Sequence, residues 1–261
     1  MRSRLATLAV LAAAALGLAA CGSGSTTGTP TTTGPSGPGG TITVFAAASL
    51  TESFTEIGKQ FEAANPGTKV VFSFGPSSGL ATQITEKAPA DVFASASTKT
   101  MQTVVDAGDA TGTATFAVNT MMIATPADPS EAVTSLEDLT NPDVKTAVCA
   151  ADVPCGVAAD ALFAKNSLAV TPVTREVDVK AVLSKVQLGE VDAGIVYVTD
   201  VKGADGQVNG IEIPADQNVT TDYPIAALTG SSNAVTAQAF VDFVQSAAGQ
   251  KVLADAGFSA P

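Results

Sequence analysis

The chain lacks the side chains on which many enzymes and metal sites depend. Its 261 residues include no histidine, no tryptophan and only three cysteines. Without histidine, neither a Ser-His-Asp nor a Cys-His catalytic arrangement can form. Histidine-based zinc sites are excluded too, and three cysteines cannot supply a four-thiolate site. The sequence therefore predicts a protein that is not an enzyme, with no cofactor and no directly bound metal cation.

Positive charge is also scarce. The chain has 13 lysines and arginines against 25 aspartates and glutamates, which gives a formal net charge of −12. The basic residues are scattered along the sequence, so a nucleic acid is excluded as a partner. An acidic surface repels anions at long range, so any anion site would have to work through local dipoles.

The N-terminal 40 residues have the composition of a targeting segment and a linker. Arg2 and Arg4 precede an apolar stretch that is too short for a convincing membrane span. It ends in Leu18-Ala-Ala-Cys21, which resembles the bacterial lipobox. That resemblance implies a signal peptide over residues 1–20 and a lipid anchor on Cys21. Residues 21–40 are almost entirely Gly, Ser, Thr and Pro, a composition that predicts a disordered tether.

Two further cysteines remain in the exported part of the chain. An even number of cysteines outside the cytoplasm favours a disulfide, here between Cys149 and Cys155. Two free, buried thiols are the alternative.

The rest of the chain alternates short β-branched runs with helical patterns, which predicts an α/β fold. Strand count and length favour two α/β lobes with a ligand cleft between them, and not one large sheet. The predicted strands are 41–46, 69–74, 92–94, 121–125, 146–150, 193–198, 210–213 and 225–228. The predicted helices are 50–64, 79–88, 99–107, 156–165, 179–188, 234–246 and 249–256.

Four predicted helices begin with small or hydroxyl residues. Ser49 follows an apolar strand and three alanines, and Glu52 completes the pattern of a capping box. Ser77 or Ser78 precedes a second helix. Pro154 suits the first turn of a third helix, in which Cys155 lies. A helix N-terminus attracts anions through its free N–H groups and its dipole, although every helix has such an end.

The fourth of these helices and one strand complete the set of candidate groups. Asp178 can cap a helix that starts at Val179. Tyr197 ends an apolar strand with a phenol that can donate one hydrogen bond. An ordinary tyrosine at the edge of the core fits the sequence equally well.

These motifs, in their order along the chain, resemble the periplasmic molybdate-binding proteins of ABC uptake transporters. The resemblance covers nearly the whole chain after the tether. Its landmarks are Val44-Phe-Ala-Ala-Ala-Ser-Leu-Thr51, Ser77-Ser-Gly-Leu-Ala-Thr-Gln-Ile84, Ala88-Pro-Ala-Asp-Val-Phe-Ala-Ser-Ala96, Val153-Pro-Cys-Gly156, Gly194-Ile-Val-Tyr-Val-Thr-Asp200 and Tyr223-Pro-Ile225.

The resemblance implies the class II periplasmic-binding-protein fold, with residues 41–120 plus 225–261 in one lobe and 121–224 in the other. It implies a site that holds molybdate, or tungstate, through Ser49, Ser77, Cys155, Val179 and Tyr197. It also implies a monomer outside the cytoplasm, anchored to the membrane by its N-terminal lipid, that delivers its ligand to an ABC permease.

Molybdate is an aprotic dianion at neutral pH, so a matching site should offer donors and no carboxylate acceptor. Three alternatives remain at this stage. Sulfate or thiosulfate would suit the same donors, and only the cavity size distinguishes them. A hydrolase using Ser49 or Ser77 would need a Ser-Lys device, for which no lysine has suggestive spacing. A purely structural lipoprotein would leave the donor-rich helix starts unexplained.

Overall fold

The computed structural model describes residues 37–128 and 133–261. The predicted signal peptide, the lipidation site Cys21 and nearly all of the predicted tether lie outside the described residues. The prediction extends the tether to residue 40, whereas folded contacts begin slightly earlier. Gly39 N donates to Thr236 Oγ1 at 2.9 Å, and Gly40 N donates to Gly67 O at 2.9 Å.

The described residues form nine strands and eight α-helices, with strands and helices alternating through most of the chain. The strands are β1 Gly40–Ala47, β2 Thr68–Gly75, β3 Val92–Ala94, β4 Ala114–Pro126, β5 Thr146–Cys149, β6 Thr174–Glu176, β7 Ala193–Tyr197, β8 Val208–Glu212 and β9 Thr220–Ala227. The helices are α1 Thr51–Ala64, α2 Ser77–Thr85, α3 Thr98–Asp106, α4 Pro154–Lys165, α5 Val179–Gln187, α6 Val198–Gly203, α7 Ala234–Gln245 and α8 Ala247–Ala256. Two short 3₁₀ helices lie at Ala48–Leu50 and Glu137–Thr140.

Every predicted strand and helix is present; β3 has the predicted bounds, and the others differ at one end or both. The sequence missed β6, α6 and both 3₁₀ helices. The largest shift is at β4, which was expected at residues 121–125 and begins at Ala114. The strand predicted at 193–198 is one residue too long, because α6 starts at Val198.

The strands pair in the order β2-β1-β3-β9-β4-β7-β5-β6, and β8 also pairs with β4. Pairing is parallel between β1 and both β2 and β3, and between β5 and both β6 and β7; the pairs that involve β4 or β9 are antiparallel. The sequence predicted that the strands would not form one large sheet, and this part of the prediction is wrong. The strands form one continuous ladder, because both halves of the sheet include β4.

The way β4 is shared explains this continuity. Residues 114–120 of β4 pair with β9, and residues 121–126 pair with β7 and β8. The strand thus leaves one half of the sheet and enters the other without a break. The antiparallel strand β9 lies beside the first part of β4 and leads the chain back to β3.

The hydrophobic core is divided in the same way. One buried cluster consists of Ala48 and residues between Met121 and Ile213. Two others draw on residues 42–117 and 223–258. In one of these, Phe54 and Phe61 of α1 lie on the face that packs against Phe240 of α7, with ring centroids 6.1 and 5.3 Å apart. The predicted lobe boundaries stay a prediction, and Tyr223, which they place in the second lobe, packs in a cluster with residues of the first.

No helix in residues 37–128 and 133–261 combines the length and apolar character needed to cross a membrane.

Candidate functional site

A small cavity lies where four helix starts and the end of β7 meet. Its volume is about 20 Å³, on the measure by which about 10–15 Å³ is enough for one water molecule. The cavity is therefore of a size that suits one small ion. The lining residues are Ala47, Ala48, Ser49, Gly75, Pro76, Ser77, Ala96, Val153, Pro154, Cys155, Asp178, Val179 and Tyr197. All five residues predicted to bind a ligand are therefore brought together.

The first wall of the cavity is the turn that follows β1. Ser49 lies in the 3₁₀ helix Ala48–Leu50, and α1 begins only at Thr51. The expected capping box is wrong, because the residue before α1 is Leu50 and no side chain caps the helix. Ser49 Oγ instead lies 2.8 Å from the hydroxyl of Tyr223, and Glu52 contacts Lys180. Because Ser49 lies in the 3₁₀ turn, its side chain lines the cavity and does not cap α1.

The second wall is the start of α2. Ser77 is its first residue and is 1% exposed. The backbone N–H of Ala96 donates to Ser77 Oγ at 3.0 Å. Because a hydroxyl carries one proton and two lone pairs, this bond leaves the Ser77 proton available for an acceptor in the cavity.

The third wall is the start of α4, with Pro154 in its first turn as predicted. Cys155 is joined to Cys149 by a disulfide, and their Cα atoms lie 5.7 Å apart. As one of the first helical N–H groups, the amide of Cys155 has no acceptor within the helix, and it donates to no other described atom. The disulfide ties this amide to the end of β5.

The fourth wall is the start of α5, where Asp178 caps the helix as predicted. Its Oδ1 accepts from Ala181 N at 3.0 Å. The amide of Val179 is free of intrahelical partners for the same reason as that of Cys155. Asp178 is also the only charged residue in the described lining. The expectation that no carboxylate would line the cavity is therefore wrong, although the Asp178 carboxylate already accepts a hydrogen bond from the first turn of α5.

Tyr197 closes the cavity from the end of β7. Its side chain is 1% exposed, and its hydroxyl has no hydrogen-bond partner among the described residues. Burial raises the pKa of the Tyr197 phenol, so the group keeps its proton and remains a donor at neutral pH. A buried polar group without a partner costs roughly 1–3 kcal/mol. An acceptor in the cavity would remove that cost.

An ion pair joins the two halves of the protein beside the cavity. Lys180 Nζ, next to Val179, lies 2.8 Å from Glu52 Oε2 on α1 and 3.0 Å from Asp200 Oδ1 on α6. Asp200 is fully buried, and its other oxygen accepts from Tyr197 N at 3.1 Å. Burial raises the pKa of Asp200. Burial alone would lower the pKa of Lys180, but Asp200 and Glu52 outweigh it and raise that pKa.

Sequence reasoning assigned no role to Lys180, Asp200 or Tyr223, and the role that it gave Glu52, in a capping box, is wrong. Their contacts join positions 128 and 174 residues apart, so no local pattern indicates them. Tyr223 and Asp200 did belong to landmarks of the family resemblance, the segments Tyr223-Pro-Ile225 and Gly194-Ile-Val-Tyr-Val-Thr-Asp200, which gave them a signal without a role. In residues 37–128 and 133–261, no cluster of three or more histidine, cysteine, aspartate or glutamate side chains could hold a metal ion.

Comparisons with known proteins agree with this geometry. Residues 42–259 match the family model described as bacterial extracellular solute-binding protein. The molybdate-binding protein ModA of Mycobacterium tuberculosis is 43% identical over 258 residues, covering 98% of both chains. The protein of the same name from Haemophilus influenzae is 35% identical and covers 84% of this chain and 90% of its own length.

Solved structures agree on the fold. The periplasmic molybdate-binding protein of Azotobacter vinelandii superposes with a TM-score of 0.75 at 19% identity, covering 84% of this chain and 99% of the other. At that identity the likeness concerns the fold alone, and the predicted periplasmic-binding-protein fold is confirmed. Both the family model and the mycobacterial relative extend over most of the sequence. The chain belongs to the family of bacterial extracellular solute-binding proteins.

Proposed function

We propose that this protein captures molybdate outside the cytoplasm and delivers it to an ABC permease. The observation that carries the proposal is the buried Tyr197 hydroxyl without a partner, which lines an ion-sized cavity together with Ser49, Ser77 and the helix-start amides of Cys155 and Val179. The 43% identity to a molybdate-binding relative supports the choice of ligand.

The charge of the ligand suits this set of donors. No lysine or arginine is present in the described lining, so a dianion would be held by dipoles and hydroxyls. Each helix N-terminus contributes about 0.3–1 kcal/mol toward an anion, and up to about 2 kcal/mol in a sheltered position. Three α-helices begin at this cavity, α2, α4 and α5, and the 3₁₀ turn at Ser49 adds further N–H groups.

Several finer features belong to the same proposal. Tungstate has the charge and shape of molybdate and would bind the same donors. The ligand would enter between lobes made of residues 41–120 plus 225–261 and residues 121–224, which then close on it. The protein would act as a monomer, held at the outer face of the membrane by a lipid on Cys21. Relatives of this family are solute-binding proteins, so no catalytic step is assigned.

Calorimetric titration of the purified protein with molybdate, tungstate, sulfate and phosphate tests the proposal. We expect molybdate and tungstate to bind one to one and more tightly than sulfate or phosphate. Replacing Ser49 with alanine removes one hydrogen bond to a charged ligand, worth about 1.5–3 kcal/mol, and should weaken molybdate binding about 10- to 100-fold. Tight binding of sulfate without any response to molybdate would favour a sulfate- or thiosulfate-type binder instead.

A further inference from the structure

Two buried hydroxyls meet behind the cavity. Ser49 Oγ and the Tyr223 hydroxyl lie 2.8 Å apart, and the two residues are 4% and 0% exposed. Each hydroxyl carries one proton, so only one of the two can donate in this bond. The direction matters, because Ser49 cannot donate to a ligand if its proton is already donated to Tyr223.

The surroundings of Tyr223 favour one direction. Burial raises the pKa of the Tyr223 phenol well above its usual value, so it keeps its proton. Asn119 lies on the neighbouring strand β4. Its Oδ1 accepts from Thr120 N at 3.0 Å, and its Nδ2 donates to Thr199 Oγ1 at 2.9 Å. The oxygen and the nitrogen of the Asn119 amide are thus both engaged by other residues, and among the described residues the Tyr223 hydroxyl has its hydrogen bond with Ser49 Oγ.

Tyr223 is fully buried and does not line the cavity, so Ser49 Oγ, 2.8 Å away, is the acceptor available to its proton, whereas Ser49 lines the cavity and can give its own proton to a ligand there. We propose that Tyr223 donates to Ser49 and so makes the Ser49 hydroxyl a one-way donor to the bound anion. This inference rests on the proposed function and adds a positioning residue to it.

The consequence is selectivity by protonation state. An anion whose oxygens are all acceptors, such as molybdate, tungstate or sulfate, can receive the Ser49 proton. Phosphate keeps a proton at neutral pH. If its O–H faced Ser49, two hydrogens would meet and one buried donor would lose its acceptor. Tyr223 thus restricts the orientations open to phosphate, whose O–H cannot face Ser49, while a fully ionised oxyanion can present any of its oxygens to that hydroxyl.

The test compares Tyr223→Phe with Tyr197→Phe in the full-length protein. Both variants remove one phenol oxygen, but only Tyr197 lines the cavity. We expect Tyr223→Phe to weaken molybdate binding about 3- to 10-fold while phosphate binding is unchanged or improved, because Ser49 can then rotate and accept. Tyr197→Phe should weaken both anions alike. The readouts are the molybdate Kd and the phosphate concentration that displaces half of the bound molybdate.

A double variant tests whether Tyr223 acts through Ser49. If it does, Ser49→Ala with Tyr223→Phe should bind molybdate no more weakly than Ser49→Ala alone. The ring of Tyr223 packs edge-on against Phe116 and Phe258, contacts that phenylalanine retains, and the thermal midpoint of each variant reports on folding.

Three results would overturn the inference. One is an equal loss for molybdate and phosphate in Tyr223→Phe. The second is additive losses in the double variant. The third is that the same phosphate concentration displaces half of the bound molybdate from Tyr223→Phe and from the unmodified protein. Failure of the proposed function is distinct, because the unmodified protein itself would then not bind molybdate.

Discussion

Gly156 is the position at which the smallest change should do most harm to the cavity. It follows Cys155 in the first turn of α4, and its backbone packs against the loop that the disulfide closes. A Cβ placed on Gly156 would overlap the carbonyl oxygen of Ala150 and would lie 2.6 Å from the carbonyl carbon of that residue and 2.9 Å from Cys149 O.

The cost of Gly156→Ala follows from these distances. Real Cβ atoms do not approach other heavy atoms within 3.0 Å, and backbone atoms cannot turn aside as a side chain can. The start of α4 would have to move away from β5, while the Cys149–Cys155 disulfide resists that movement. Overpacking of this kind costs about 1–3 kcal/mol or more in the free energy of unfolding. The same movement would displace the Cys155 amide and weaken molybdate binding about 10- to 100-fold.

Gly79→Ala is the matched control. Gly79 is the third residue of α2, as Gly156 is the third of α4, and both helices begin at the cavity. A Cβ at Gly79 would meet nothing closer than Pro76 Cγ at 3.4 Å. Alanine is favoured over glycine within a helix by about 0.5–1 kcal/mol, so this variant should be slightly stabilised and should bind molybdate normally.

Urea unfolding and calorimetric titration of both variants supply the comparison. The reasoning is refuted if Gly156→Ala unfolds at the same urea concentration as the unmodified protein and binds molybdate equally well. A similar loss in Gly79→Ala would also contradict it, because the effect would then not depend on the close approach at Gly156.

Three further predictions follow from charged groups. Lys180→Met leaves the buried carboxylate of Asp200 without its cation, which should cost about 3 kcal/mol in thermal or urea unfolding. Because burial raises the pKa of Asp200, its charged form is the unfavourable one in the folded protein, so the loss should grow as the pH rises above the ordinary carboxyl pKa of about 3.9. Asp178→Asn keeps a good helix cap and removes a negative charge from the lining, so calorimetry should detect about 10-fold tighter molybdate binding with an unchanged thermal midpoint. Hydrogen bonds, from Thr134 first and then Ser135, lower the pKa of Asp138. The Asp138 carboxylate therefore stabilises the fold above the ordinary carboxyl pKa of about 3.9, and this stabilisation is lost as the pH falls below it. In urea unfolding, Asp138→Asn should be clearly less stable than the unmodified protein at about pH 7 and nearly as stable at about pH 3.

Features with a local cause could be predicted from the sequence. Asp178 before Val179 and Pro154 at the start of α4 are found where the sequence predicts them, because a cap or a proline acts within one helical turn. The predicted binding residues also meet at one cavity, and the order of motifs in the family resemblance made that prediction possible.

Features that depend on distant partners could not be predicted. Residues 114–120 become strand because they pair with residues 220–225 of β9, and neither segment has a strong β pattern of its own. Ser49 and Glu52 have the spacing of a capping box, yet Ser49 meets Tyr223 and Glu52 meets Lys180. Tertiary contacts replaced the local hydrogen bonds that the sequence suggested.

The sharing of β4 also determines how the protein can come apart. A strand that belongs to both halves of the sheet cannot lose its partners in one half without disturbing the ladder in the other. Unfolding should therefore be a single cooperative event, although the buried core of the described residues is divided into three clusters. A ligand held between the halves would then protect the outermost strands β2 and β6 from amide hydrogen exchange, even though neither strand reaches the opposite half.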